Sequence, residues 1–139
     1  MLTKSYGHTF ALLSLLCSLL FSFGLELAGS PKLTLVEVWS GGDDGLTTKL
    51  RDTLENAFKS SPDFRLSAGK QPGTLTVTIP SHLEWKLVGN RTQVFYTVEF
   101  TSADNQHLGS SAGSCWEDAL SKCASRIVKD AKIAARKIH

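Results

Sequence analysis

Two cysteines lie eight positions apart near the C-terminal end of the chain, Cys115 and Cys123. The apolar spacing of this segment predicts one helix carrying both, and eight helical residues rise about 12 Å along the axis. A disulfide needs Cα atoms within about 7 Å of each other. We therefore expect Cys123 to be a small buried core residue, and Cys115, at the helix start, to be a possible reactive thiol. A disulfide formed after local unwinding or between chains stays open.

The run Gly109 to Gly113 matches the G-x-S-x-G pattern of a serine nucleophile. That motif belongs to a fold with a larger parallel sheet, and here an acid followed by histidine occurs downstream only in the terminal helix or at His139. We interpret the run as small residues at a strand-to-helix turn. A small thiol or serine hydrolase using Cys115 or Ser111 is the enzymatic alternative.

The remaining candidates for chemistry are isolated from one another along the chain. His82 and His107 show no spacing typical of a zinc site. The segment 41–45, Gly-Gly-Asp-Asp-Gly, lacks the alternating ligands and terminal glutamate of a calcium loop. Asp43 or Asp44 is instead placed to cap a helix. We expect no catalytic residue, no metal and no cofactor.

The first part of the chain is typical of a secretory signal peptide. Lys4 precedes an apolar run from Phe10 to Leu25, shorter than the roughly 20 residues of a membrane-spanning helix. Ser22 and Gly24 offer small residues for cleavage. The sequence predicts a signal peptide over 1–24, one domain over 25–139, and a periplasmic or secreted protein.

The predicted mature chain is nearly neutral. Removing Lys4 leaves 14 basic residues of the 15, against 13 acidic residues, a net charge of +1. A charge this small gives no field that would attract nucleic acid or an anionic membrane. We expect the partner to be another envelope or secreted protein, with no stable membrane insertion after cleavage.

Two segments after residue 31 predict an inner strand and a helix. Lys32 to Trp39 is β-branched and apolar, as in an inner strand. Leu46 to Phe58 then shows an amphipathic helical stripe that stops at Ser60-Ser61-Pro62.

The period next changes to two. Apolar residues occupy odd positions from Leu75 to Leu87, with Pro80 predicting a bulge or a sheet edge. A second strand spans Arg91 to Thr101, and a shorter third follows a turn at 103–106. The three strands predict an antiparallel meander.

The last segment predicts a second amphipathic helix. Ser114 and Glu117 form a capping-box pattern, and apolar residues from Trp116 to Ile138 recur every three or four positions. Outside that stripe lies what we call the basic ridge: Lys122, Arg126, Lys129, Lys132, Arg136 and Lys137.

These elements define the α+β class: a β-α-β-β-β-α two-layer sandwich whose mostly antiparallel sheet has two helices packed on one face. The pattern of Leu33 to Val38, of the helix running into Asp63 to Leu66, and of Val94 to Phe100 before Leu108-Gly109 resembles small periplasmic modules related to the N-terminal domain of TolB and to CsgG. The resemblance implies a bacterial envelope protein that binds other proteins, and it carries no catalytic residue over.

The function expected from these patterns is a non-enzymatic, exported protein-binding module of the cell envelope. One candidate surface is the open sheet face, where Gln93, Phe95, Thr97 and Glu99 alternate outward, with Phe95 as the anchor. The other is the basic ridge, represented by Lys122, Arg126 and Lys129. An inhibitor or immunity protein against an exported toxin or enzyme is a further alternative.

Overall fold

The structure, a computed structural model, describes residues 32–138. The predicted signal peptide and its cleavage site lie outside the described residues. Within the described part, no helix is both long and apolar enough to span a membrane. The elements are β1 Thr34–Ser40, α1 Gly45–Ser60, β2 Phe64–Leu66, β3 Leu75–Ile79, β4 Glu84–Val88, β5 Arg91–Thr101, β6 His107–Trp116, a 3₁₀ turn Glu117–Ala119, and α2 Leu120–Ala135.

The six strands form one mixed sheet, which confirms the α+β class. β1 runs parallel to β2 on one side and to β3 on the other, and β3 then pairs antiparallel with β5. β5 also pairs antiparallel with β4 and with β6. Since β6 takes one side of β5 along nearly its whole length, β3 and β4 share the other side.

The predicted long strand over 75–87 is divided into β3 and β4. Pro80 ends β3, because proline has no N–H to donate to a sheet ladder. The parallel register of β1 and β3 also brings Gly41 against Pro80, where an added Cβ would lie 2.4 Å from the Pro80 carbonyl oxygen. The chain therefore leaves β3 here and pairs again with β5 further along.

The core lies between the sheet and the two helices. α1 contributes Leu50, Leu54 and Phe58, and α2 contributes Ile127 and a series of alanines, all buried. They pack on the side chains of the sheet that point the same way: Val36, Leu75, Val77, Val94, Tyr96, Val98 and Phe100. The helical spacing predicted for α1 thus identifies its buried stripe.

The ends of α1 follow the predicted signals. Asp44 is the N-cap, and its side chain accepts a hydrogen bond from the Thr47 backbone N–H. The last helical residue is Ser60, followed by the C-cap Ser61, since Pro62 disfavours helical backbone in the residue before it.

The start of the second helix differs from the prediction. No capping box forms at Ser114, because β6 continues to Trp116 and pairs with β5 without interruption from Gly109. The regular helix begins at Leu120, after the 3₁₀ turn. The backbone hydrogen bonds between β6 and β5 together stabilise the strand more than a helix cap, which contributes about 1 kcal/mol, would stabilise a helix starting at Ser114.

Candidate functional site

Cys115 and Cys123 form a disulfide, with their Cα atoms 5.8 Å apart. The prediction of a reactive thiol at Cys115 is therefore wrong. It assumed that both cysteines lie on one helix, whereas Cys115 lies on β6 and Cys123 lies in the first turn of α2. Two elements packed against each other bring the Cα atoms closer than one helix could.

Ser111 lies within β6 rather than at a strand-to-helix turn. Its side chain is buried, and its hydroxyl donates a 2.6 Å hydrogen bond to Asp130 Oδ2 on α2. The G-x-S-x-G run is thus a stretch of small strand residues beside a helix. The serine is paired with a carboxylate, which cannot play the part that a histidine base plays in a nucleophile elbow.

Asp44 and His82 form a contact that the sequence did not reveal. His82 Nδ1 lies 2.5 Å from Asp44 Oδ1, and the Thr47 hydroxyl donates to the same carboxylate at 2.6 Å. The hydrogen bonds from the Thr47 side chain and backbone, followed by the contact with His82, lower the pKa of Asp44 from 3.8 to about 2. The Thr47 hydroxyl oxygen also accepts from the Leu83 backbone N–H.

This Asp44 cluster joins the start of α1 to the segment between β3 and β4. The His82 side chain is 61% exposed. Among residues 32–138, no three His, Cys, Asp or Glu side chains come together as metal ligands would. The cluster positions backbone, and we assign it no chemistry.

The predicted sheet-face residues share the outer face of β5, opposite the helices. Gln93 and Phe95 are half-buried, while Thr97 and Glu99 are exposed. Lys86 Nζ lies 5.2 Å from the centre of the Phe95 ring, and the Gln93 side chain donates to the Ser114 hydroxyl at 3.3 Å.

Two tryptophans lie on the same outer face. Trp39 on β1 is 55% exposed and is in register with Thr78 of β3, which in turn faces Glu99 of β5. Trp116 is in register with Gln93, and the guanidinium of Arg91 lies 4.2 Å from the centre of its ring. The outer face therefore carries three aromatic rings among polar and charged side chains.

The residues of the basic ridge contact different parts of the fold on the two sides of α2. The predicted binding residues Lys122, Arg126 and Lys129 are all exposed, but Arg126 donates a 3.0 Å hydrogen bond to the Ser114 carbonyl of β6. On the opposite side of α2, Lys132 pairs with Asp63 at 2.7 Å. The structure thus places the sheet-face residues and the ridge residues on different layers.

No family model and no curated protein sequence matches this chain. Among solved structures, protein XCC0632 from Xanthomonas campestris, of the DUF330 family model, is similar with a TM-score of 0.57 at 13% identity, over 79% of this chain and 91% of that one. TolB from Acinetobacter baumannii has a TM-score of 0.47 at 16% identity, over 78% of this chain and 30% of that one. A minor lipoprotein from the same organism has a TM-score of 0.45 at 12% identity, over 77% and 95%.

The likeness to XCC0632 shows the fold alone, and the other two TM-scores are too low to carry an argument. The resemblance to the N-terminal domain of TolB and to CsgG, drawn from the sequence pattern, stays a prediction.

Proposed function

We propose that this chain is an exported, non-enzymatic protein-binding module of the periplasm or of the extracellular space. The observation that carries the proposal is the outer face of the sheet. Within residues 32–138 both helices lie on the other face, and the outer face presents Trp39, Phe95 and Trp116 to solvent in whole or in part.

The composition of this face suits protein recognition. Aromatic side chains supply large contact areas at low cost in conformational entropy, and they dominate the binding energy of interfaces when polar residues surround them. Phe95 stands between Gln93 and Thr97, with Lys86 above its ring. Such a half-buried ring is already held in place, which favours an anchor role.

The Cys115–Cys123 disulfide supports the exported location. Disulfides persist in oxidising compartments such as the bacterial periplasm and the extracellular space, and they are rare in the cytosol. This support is independent of the predicted signal peptide.

Cross-linking in the native envelope or culture medium, followed by affinity capture of the full chain, tests the proposal. We expect Phe95→Ala to lower the yield of the captured partner about tenfold or more, as loss of an anchor would. Leu87→Ala is the matched control, because Leu87 is 69% exposed but lies on the opposite face of the sheet. If the module is an inhibitor or immunity protein, the captured partner is itself a toxin or enzyme whose activity falls on binding.

Failure to capture a specific partner from both the native envelope and the culture medium would contradict the proposal. Equal losses with Phe95→Ala and Leu87→Ala would remove the outer face as its basis.

A further inference from the structure

The strand β6 is an edge of the sheet with one side open. β6 pairs only with β5 among the described strands. In an antiparallel strand, alternate residues turn both backbone polar groups to the same side. Because the Ser114 carbonyl meets Arg126 rather than β5, the N–H and C=O groups of Ser110 and Ala112 also point outward, and both residues are exposed.

Two cations from the helix layer bracket this open edge. Lys137 Nζ, in the turn after α2, lies 2.6 Å from the Leu108 carbonyl oxygen, and Arg126 binds the Ser114 carbonyl at the other end. An open strand edge is a template for pairing with another chain, and charged side chains beside it oppose indiscriminate pairing. Here both charged side chains are positive, so they repel a basic strand and attract an acidic one.

An apolar side chain lies between the two cations. Ile133 is 54% exposed, and its spacing of seven residues from Arg126 and four from Lys137 places all three on one side of α2. Asp130 lies on the same side and keeps its negative charge while it accepts the Ser111 hydroxyl, so Arg126, Asp130 and Lys137 together leave a net charge of +1 beside the edge. A strand added to β6 would thus meet a positive, an apolar and a positive position on its helix side.

The charges argue against a second copy of this chain as the added strand. Two β6 edges pairing antiparallel about a two-fold axis would bring Arg126 of one copy beside Lys137 of the other. Like charges placed together across an interface disfavour it, whereas an acidic strand would be attracted to the same positions.

We propose that the open edge of β6 takes up an extended acidic segment of a partner protein as an additional strand, by backbone pairing at Ser110 and Ala112. Arg126 and Lys137 are separated by roughly 16 Å along the helix, and alternate positions i and i+4 of a strand span about 13 Å. The segment therefore carries an acidic, an apolar and an acidic residue at positions i, i+2 and i+4. This inference rests on the proposed binding function and names a second surface for it.

The test uses NMR-detected amide exchange of the folded chain with a defined probe. The probe is a short capped peptide with glutamate, valine and glutamate at alternate positions among threonines, and its control has lysines in place of the glutamates. We expect the glutamate peptide to slow exchange at the Ser110 and Ala112 amides about tenfold or more, and the lysine peptide to leave them unchanged. Exchange at these amides that is unaffected by the glutamate peptide overturns the proposal.

Backbone and charge variants separate edge pairing from general attraction. Ala112→Pro removes an outward N–H without removing a bond to β5, and should weaken peptide binding about tenfold, while Ala112→Val keeps the N–H and should bind as the wild type does. Arg126→Gln with Lys137→Gln should also weaken binding by about tenfold, against Lys59→Gln, an exposed lysine of α1, as control. If Ala112→Pro does not fold, the Arg126→Gln/Lys137→Gln variant and its Lys59→Gln control test the proposal without it.

Other outcomes reassign the edge. Dimers in sedimentation that Ala112→Pro disperses would overturn the acidic partner in favour of a second copy. A natural partner whose capture survives Ala112→Pro but is lost in Phe95→Ala would overturn the edge proposal and leave the binding function standing. The peptide titration needs no natural partner. Failure to capture a natural partner therefore contradicts the proposed binding function but not the pairing of an acidic strand with β6.

Discussion

The strands β3 and β4 look alike in sequence and pair with the same side of β5, yet their surroundings are opposite. Every residue of β3 is buried or half-buried, and every residue of β4 is exposed. Trp85 of β4 faces Val94 of β5, so it points toward the helix side as alternation predicts, but it is 59% exposed. Alternation thus determines the face of a strand, and only the layer above determines burial.

The largest expected difference in the free energy of unfolding is between two separate leucine-to-alanine variants, one in β3 and one in β4. Leu75→Ala removes a fully buried side chain and should lower the free energy of unfolding by about 2–5 kcal/mol. Leu87→Ala, at a side chain that is 69% exposed, should change it by about 0.5 kcal/mol or less. Denaturant titration of both variants measures the difference, and comparable losses would show that a helix or another layer covers β4 as well.

The disulfide should give the next largest effect, at the exposed end of β5. Cys115 faces Val94, the residue that also faces Trp85, so the bond joins α2 to the sheet beside the exposed strand β4. Replacing both cysteines by alanine should lower the free energy of unfolding by about 2–3 kcal/mol, as expected for a loop this short.

Thermal and denaturant unfolding of the oxidised chain and the double variant measure this loss. Thiol labelling at Cys115 and Cys123 with and without a reductant provides the control, and labelling at Cys115 before reduction would contradict the bond.

The smallest effect concerns the segment that joins β3 to β4. The pKa of Asp44 is lowered to about 2 in the folded chain, so its contribution to stability is complete above its unfolded value near 3.8 and is lost as the pH falls toward 2. We expect the unfolding midpoint to decline over that window, and Asp44→Asn to flatten the decline while keeping a helix-capping side chain.

Urea titrations of the two chains between pH 5 and pH 2 compare these slopes. A decline of the same size in both would assign the acid sensitivity to other carboxylates.

The outer face of β5 could be predicted from the sequence, whereas the Asp44–His82 contact could not. The outward positions of Gln93, Phe95, Thr97 and Glu99 follow from the period of two, and the structure places all four on the outer face. The Asp44–His82 contact joins residues 38 positions apart, and nothing in the local sequence of either residue signals it. It depends on the parallel pairing of β1 with β3, which brings the two connections together.

The local period of apolar residues predicts the class of the fold, the buried stripe of each helix and the two faces of β3, β4 and β5. It does not predict the faces of β6, because the register shifts near Leu108 and the strand continues to Trp116, so Ser110, Ala112 and Trp116 point to the outer face. The folded chain adds three facts that no local period shows: Cys115 belongs to a strand, it bonds to Cys123, and every residue of β4 is exposed. Each of these depends on how elements distant in the chain pack, and a local pattern carries no information about the partner that an element meets.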